Sequence, residues 1–208
     1  ANIGTTITAW IIAATGFWLD VTVLAFVLLG AGFVITLMKK SLVKNIGQAV
    51  LGLSLVFVGL IYIKSSIPAI DTVPQIAGSI AGLASHGIGS VLIFMLIGVV
   101  VTFILQSSSV TVVLTMVLAY LGWLPFPMAA AMVLGENIGT TIGANIAASG
   151  AGVQARRAAL AHTVFNVAGA VFVLIFFNIF IKINLGLVSL FGLDSQMTAV
   201  FGIACVHT

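Results

Sequence analysis

Charge is what this chain has least of. Its 208 residues include 7 Lys and Arg and 4 Asp and Glu, 5% charged in all, too few to coat a soluble globule of this size. Cysteine is nearly absent: the single Cys205 excludes an intramolecular disulfide, and no zinc-ligand spacing or nucleotide-binding glycine motif occurs. The net charge of +3 comes from a few predicted loop residues, which suits the inner face of a membrane rather than a nucleic-acid patch. No nucleophile, base and orienter set is present, so an enzyme is not expected. The N-terminus carries no secretory signal pattern and no initiator Met.

What is there is hydrophobic: 62% of residues, with a mean hydropathy of +1.34. The run from Phe17 to Met38 is bounded by Lys39 and Lys40, and that from Ile46 to Ile63 by Lys64. Both approach the ~20 residues that span a bilayer. The expected class is an all-α polytopic membrane protein in a lipid bilayer. Reading for breaks gives a half-helix after Thr6, spans at 17–38 and 45–64, and a polar connection holding Ser65, Ser66, Pro68, Asp71 and Pro74. A short amphipathic segment follows at 75–84, then an apolar stretch at 88–121. The turn at Leu121–Pro127 leads to a broken span at 128–149. A span at 160–181, a connection from Lys182 to Asp194 and a helix beginning near Gln196 complete the chain.

Two polar features interrupt this background. Gln106, Ser107, Ser108 and Ser109 stand between Val99-Val100-Val101 and Val110-Thr111-Val112-Val113-Leu114. Asn-Ile-Gly-Thr-Thr occurs at Asn2 to Thr6 and again at Asn137 to Thr141, which implies a duplicated fold. Lys39, Lys40 and Lys44 form one basic cluster and Arg156 and Arg157 another, and both should be cytoplasmic. Three hydrophobic stretches lie between them, so the middle one must return to the side it entered from. A re-entrant hairpin at 86–121, bending at Gln106–Ser109 with arms too short for two full crossings, satisfies this.

Backbone groups freed at a helix break in hydrocarbon survive only where protein or a watery cavity receives them. The hydroxyls of Ser107, Ser108 and Ser109 and the amides of a following half-helix form a donor set suited to an oxyanion. Together with the Gln106 amide oxygen and unwound carbonyls, those hydroxyls are also hard neutral ligands for sodium. Asn137, Thr140 and Thr141 share one helix face, extended by Asn145, and Asn2, Thr5 and Thr6 repeat it. Gly4 and Gly139 permit either unwinding or close backbone approach.

Each feature has a plainer reading. Ser and Thr in membrane helices often bond back to their own backbone or glue helices together, but four contiguous polar residues and a duplicated polar pentapeptide favour function. Glu136 is the one acid in the interior of a predicted span, a candidate cation ligand whose repeat counterpart is Ala1. His162 and Asn166 read as an interhelical hydrogen-bond pair before a proton relay. Arg156 and Arg157 read as topology anchors, Asp20, Asp71 and Asp194 as solvated ends, and Trp10, Trp18 and Trp123 as core or belt aromatics. Cys205 reads as filler.

These residues resemble the type II sodium/phosphate cotransporter family. Its hallmark is an inverted pair of units, each with a Gln-Ser-Ser-Ser hairpin tip followed by an Asn-Ile-Gly-Thr-Thr-like broken helix, with a His and a Phe-Asn further on. One unit is matched fully, by Gln106 to Ser109, Gly135 to Thr141, and Arg156-Arg157 leading to His162-Thr163-Val164-Phe165-Asn166. The other is matched in part. The chain opens inside one copy and closes on His207-Thr208, an echo of His162-Thr163, so missing sequence is expected at both ends. The resemblance is to a bacterial member, and it implies a multi-pass protein of the bacterial inner membrane.

The resemblance implies sodium-coupled symport of inorganic phosphate by a single transmembrane transport domain over 1–208. Within it, 1–64 would hold the end of the first repeat unit, 75–185 the second unit and 195–208 the start of a further helix. Phosphate is expected at Gln106, Ser107, Ser108 and Ser109. Sodium, the coupling ion, is expected at Gln106, Ser107, Ser108, Asn137, Thr140, Thr141 and Glu136 and, by internal match, at Asn2, Thr5 and Thr6. A homodimer partner and a soluble regulatory domain or missing segment complete the expectations, with nucleic acid excluded. Two other classes compete: a channel or uniporter for an inorganic oxyanion, and a non-transporting membrane assembly subunit whose glycines and serines merely pack helices. Sulfate or arsenate fits the same donors.

Overall fold

A computed structural model describes residues 2–17 and 21–208, apart from the side chains of Asn2, Ile3 and Asp71. The readings of Ala1, Trp18, Asp20 and the side chains of Asn2 and Asp71 lie outside the described residues. All regular structure among the described residues is helical. In order the α-helices are α1 (Asn2–Ile11), α2 (Thr22–Thr36), α3 (Ser41–Ser66), α4 (Pro74–Ala84), α5 (Ile88–Leu105), α6 (Ser108–Tyr120), α7 (Phe126–Ser149), α8 (Val153–Ile175), α9 (Phe177–Ser189) and α10 (Ser195–His207). A π-helical segment, Ile12–Gly16, extends α1, and a 3-10 turn, Ile70–Thr72, precedes α4. Three helices, α3, α5 and α8, are long and apolar enough to cross a membrane. Their large apolar side chains, such as Leu96, Ile104, Phe165 and Phe172, are widely exposed, as lipid-facing surfaces are.

The chain divides into two compact units, residues 11–68 and residues 1–10 with 69–208. In the first, α2 packs along α3. A Cβ on Gly32 would stand 2.8 Å from the Leu51 nitrogen, and one on Gly47 2.7 Å from that of Thr36, so the two backbones touch. Val21, Ala25 and Phe57 form the core of this unit. Lys64, at the end of α3, bonds the Gly16 carbonyl at 2.9 Å and lies over the Phe17 ring. This cation is therefore held by the chain in the last turn of the helix whose run it bounds in the sequence.

In the second unit α7 is the central element. It is buried on every face from Met128 to Glu136, the signature of an apolar helix wrapped by others. It packs against α5, α6, α8 and α10. The α5–α7 seam is backbone on backbone: a Cβ on Gly98 would run into the Met132 carbonyl, and one on Gly135 into that of Met95.

The structure corrects several predicted bounds. The span predicted broken at 128–149 is one continuous helix. Thr140 and Thr141 return their hydroxyls to the carbonyls of Asn137 and Ile138 at 2.8 and 2.7 Å, so the motif's polar groups are satisfied without unwinding. Gly139 serves close approach instead, with Val99 O 2.7 Å from its would-be Cβ. Likewise α1 begins at Asn2 and runs through the first motif. The predicted 17–38 span is helical from Thr22 to Thr36 among its described residues.

The arm Ile88–Leu105 is long enough to cross alone, although α6 at 13 residues is not. The predicted 160–181 span is displaced toward the N-terminus, because Arg156 sits inside the first turn of α8 and caps α7 through the Ser149 carbonyl at 2.6 Å. Lys182 to Ser189 are helical, not a connection. Phe177, Ile181, Asn184 and Val188 form a buried stripe at helical spacing, a periodicity that Lys182 obscures. Asp194 is exposed at a helix end, as read, and there caps α10 by accepting from the Met197 amide at 2.8 Å.

Candidate functional site: the helix break and two polar cavities

The Gln-Ser-Ser-Ser run ends one helix and starts another. Gln106 closes α5 in the left-handed conformation, φ 52° and ψ 27°, the one non-glycine residue with positive φ among the described residues. Such a backbone is strained for an L residue and normally left to Gly or Asn. Its amide still donates to the Thr102 carbonyl at 2.8 Å. Ser107 is extended and caps α6, its hydroxyl accepting from the Val110 amide at 3.4 Å. The Thr111 amide and hydroxyl both donate to the Ser107 carbonyl, at 3.2 and 3.0 Å. The amides of Ser108 and Ser109 precede that first rung of the ladder, at the positive end of the α6 dipole.

The break opens onto a cavity of about 420 Å³ lined by Thr102, Phe103, Gln106, Gly139, Thr140 and Gly143, among others. Here α5 and the second Asn-Ile-Gly-Thr-Thr motif meet, bringing Gln106 and Thr140 to one space. Thr102 Oγ1 is buried and has no hydrogen-bond partner among the described residues. Ser107, Ser108 and Ser109 do not line this cavity: Ser108 is buried, and Ser107 and Ser109 are half-buried.

Asn137 faces elsewhere. With Thr6 of the first motif it lines a cavity of about 640 Å³ that also holds His162, Asn166, His207 and Thr208. The His207 ring nitrogen Nε2 lies 3.0 Å from Thr5 Oγ1, and Thr6 donates to the His207 carbonyl at 3.2 Å. Two matching clasps frame the region. Trp10 Nε1 donates to Thr208 Oγ1 at 3.1 Å, and Asn145 Nδ2 donates to Thr163 Oγ1 at 2.6 Å. Trp10 and Asn145 occupy the same place after their respective motifs, and each threonine follows a histidine. Asn166 donates to the His162 backbone carbonyl at 2.8 Å, a bond within α8 rather than between helices.

Glu136 is fully buried between α6 and α7. Its Oε1 accepts from Thr115 at 2.7 Å, and Oε2 has no partner among the described residues. Thr141 is buried on its own helix. Apart from Ser107–Ser109 at the start of α6 and Thr141, buried on α7, the described predicted residues fall into three places: Gln106 and Thr140 in one cavity, Asn137, Thr5 and Thr6 around the other, and Glu136 in the core beside α6. Thr102, Thr115, His207 and Thr208 were not among the predicted site residues. Thr102 stands one turn before Gln106, a spacing that marks a shared face. His207-Thr208 carried its signal in the echo of His162-Thr163.

Among the described residues no group of three His, Cys, Asp or Glu side chains that could hold a metal ion occurs. Sodium asks for less, since hydroxyl, amide and carbonyl oxygens suffice, and the first cavity offers those of Gln106, Thr102 and Thr140.

Comparison with known proteins gives the family. YqeW of Bacillus subtilis strain 168, an uncharacterized protein, is 33% identical over 181 residues, covering 84% of this chain and 54% of that protein. YjbB of Escherichia coli K12, named "Putative inorganic phosphate export protein", is 30% identical over 179 residues, 86% of this chain and 32% of that protein. The chain thus spans about a third to a half of the relatives it matches. No solved structure matches it. The Na+/Pi-cotransporter family matches residues 1–65 and 77–206, nearly every element described above, and the chain belongs to that family.

Proposed function

We propose that the protein carries inorganic phosphate across a bacterial inner membrane, coupled to sodium, by alternating access around the polar break. The observation that carries this reading is the left-handed Gln106 between two apolar helices, facing a cavity shared with Thr140. A strained residue kept at a helix break points to a site, and a break at membrane depth is tolerated where it lines a cavity. In this reading Ser107, Ser108 and Ser109 supply hydroxyls and α6 supplies its leading amides to the oxyanion. Gln106, Thr140 and the motif residues Asn2, Thr5, Thr6, Asn137 and Thr141 supply neutral oxygens for sodium, with Glu136 as the buried counter-charge.

We take α5 and α6 as the re-entrant hairpin and the two clasps as the marks of an inverted duplication. The matched hydrogen bonds of Trp10 and Asn145 support the duplication. Family membership supports phosphate as cargo and sodium as coupling ion. The export named for the Escherichia coli relative makes direction a question for experiment.

The test is radiolabelled phosphate flux in proteoliposomes of the full chain, with sodium gradients of either sign, beside Ser107→Ala and Ser108→Ala. Flux that follows the sodium gradient and is lost in both variants is the expected result. Flux indifferent to sodium would replace symport with a channel or uniporter, and no flux from folded protein would remove phosphate as cargo.

A further inference from the structure

Three lysines have no part in the packing or in the polar break. Lys39, Lys40 and Lys44 stand at the turn from α2 to α3, and all three are exposed. Elsewhere the chain engages its cations: Lys64 bonds the Gly16 carbonyl and Arg156 that of Ser149. Among the described residues no hydrogen bond or ion pair holds the three ammonium groups of the turn. The sequence has no Asp or Glu between residues 20 and 71, so neither α2 nor α3 supplies a counter-charge.

Their position makes this excess of charge costly. Lys40 is the N-cap residue of α3, which has no side-chain cap and no acid in its first turn, and Lys44 follows one turn later. The start of a helix is the positive end of its dipole, where anions are favoured and cations are not. Apolar side chains crowd the same turn. Leu37 and Leu42 are 68% and 71% exposed, and Met38 and Ile46 are exposed as well. Lysine stems lie along such surface while their heads stay in water. Free cations beside open apolar surface, at the end of a helix long enough to cross a membrane, fit the boundary between hydrocarbon and headgroups.

We propose that the α2–α3 turn, through Lys39, Lys40 and Lys44, docks the headgroups of anionic phospholipids. Such a lipid brings both partners the turn lacks: a negative charge for the ammonium groups, and acyl chains for Leu37, Met38, Leu42 and Ile46. Free phosphate brings the first alone. A zwitterionic headgroup carries its own cation against the lysines, so charge complementarity selects the anionic lipid. The proposal is independent of the cargo and of sodium coupling.

The test places a photo-crosslinking benzoylphenylalanine at Leu42 of the full chain. The protein is reconstituted in vesicles of equal phosphatidylglycerol and phosphatidylcholine and irradiated, and the attached lipid is identified by mass. The same probe at Leu190, 82% exposed and with no Lys or Arg from residue 183 onward, is the control. Phosphatidylglycerol is expected to dominate at Leu42 and to stand at or below the mixing ratio at Leu190. Each of Lys39→Gln, Lys40→Gln and Lys44→Gln should lower the ratio at Leu42 about fivefold, with melting unchanged, while Lys40→Arg keeps it. Equal lipids at Leu42, or a preference that survives in the triple Lys→Gln variant, would overturn the proposal. A preference abolished by inorganic phosphate but not by chloride of equal ionic strength would give the turn to the free anion instead.

Discussion

Replacing Gly135 by alanine is the sharpest test of how α7 is held. On propensity alone a helical Gly→Ala change gains about 0.8–1 kcal/mol. Gly143, on the same helix, has nothing within 4 Å of its would-be Cβ, so Gly143→Ala should hold or raise stability. At Gly135 the added carbon lands on the Met95 carbonyl and stands 2.9 Å from the Val99 nitrogen. Both obstacles are backbone, and no rotamer change clears them. Overpacking costs about 1–3 kcal/mol, and a clash this deep belongs at the upper end.

After the propensity gain a loss of about 2 kcal/mol remains, or about 4–8 °C of melting temperature for a chain of this size. Tryptophan fluorescence of detergent-solubilised protein on heating reads it. Because Gly98 meets the Met132 carbonyl across the same seam, Gly98→Ala combined with Gly135→Ala should cost less than the two added together: once α5 has been pushed away, the second carbon finds room. If Gly135→Ala melts with Gly143→Ala, the backbone seam is not as described.

Three further outcomes are expected. Gln106→Gly relieves a left-handed backbone that costs an L residue about 1–2 kcal/mol, so the protein should melt no lower than wild type while phosphate flux falls; equal flux would remove the Gln106 amide from the site. Thr115→Val deletes the 2.7 Å bond to Glu136 without changing shape and should lower stability by about 1–3 kcal/mol, whereas Glu136→Gln, which can still accept from Thr115, should melt closer to wild type and lose sodium dependence of flux. Double-mutant cycles of Asn145→Leu with Thr163→Val, and of Trp10→Phe with Thr208→Val, should each give a coupling of about 0.6–1.7 kcal/mol, and coupling in one clasp alone would break their equivalence.

The sequence made the class legible because charge scarcity and run length depend on the solvent rather than on packing. The break at Gln106–Ser109 was legible for a similar reason, since four polar side chains in an apolar run must be received by something. Helix bounds were less visible wherever a charge lay inside an element. Arg156 read as a topology anchor and Lys182 as the start of a connection, yet one caps a neighbouring helix and the other rides an exposed helical face. Continuity of α7 was hidden because threonines that bond their own carbonyls look, in sequence, like threonines at an unwound turn. The second cavity was hidden because Asn137, His162 and His207 converge only through the packing of α7, α8 and α10.

The α5–α7 seam also says which parts can move. Helices that meet through long side chains can creep past one another as those side chains change rotamer. Gly98, Gly135 and Gly139 put carbonyl and amide directly against the opposite chain, and main-chain atoms have no alternative rotamers to offer. So α5 and α7 behave as a single welded piece, with one wall of the Gln106–Thr140 cavity on each half of the weld. Any rearrangement of the break itself must then swing α6 against this piece on the joint at Gln106 and Ser107, where the helical ladder is already interrupted.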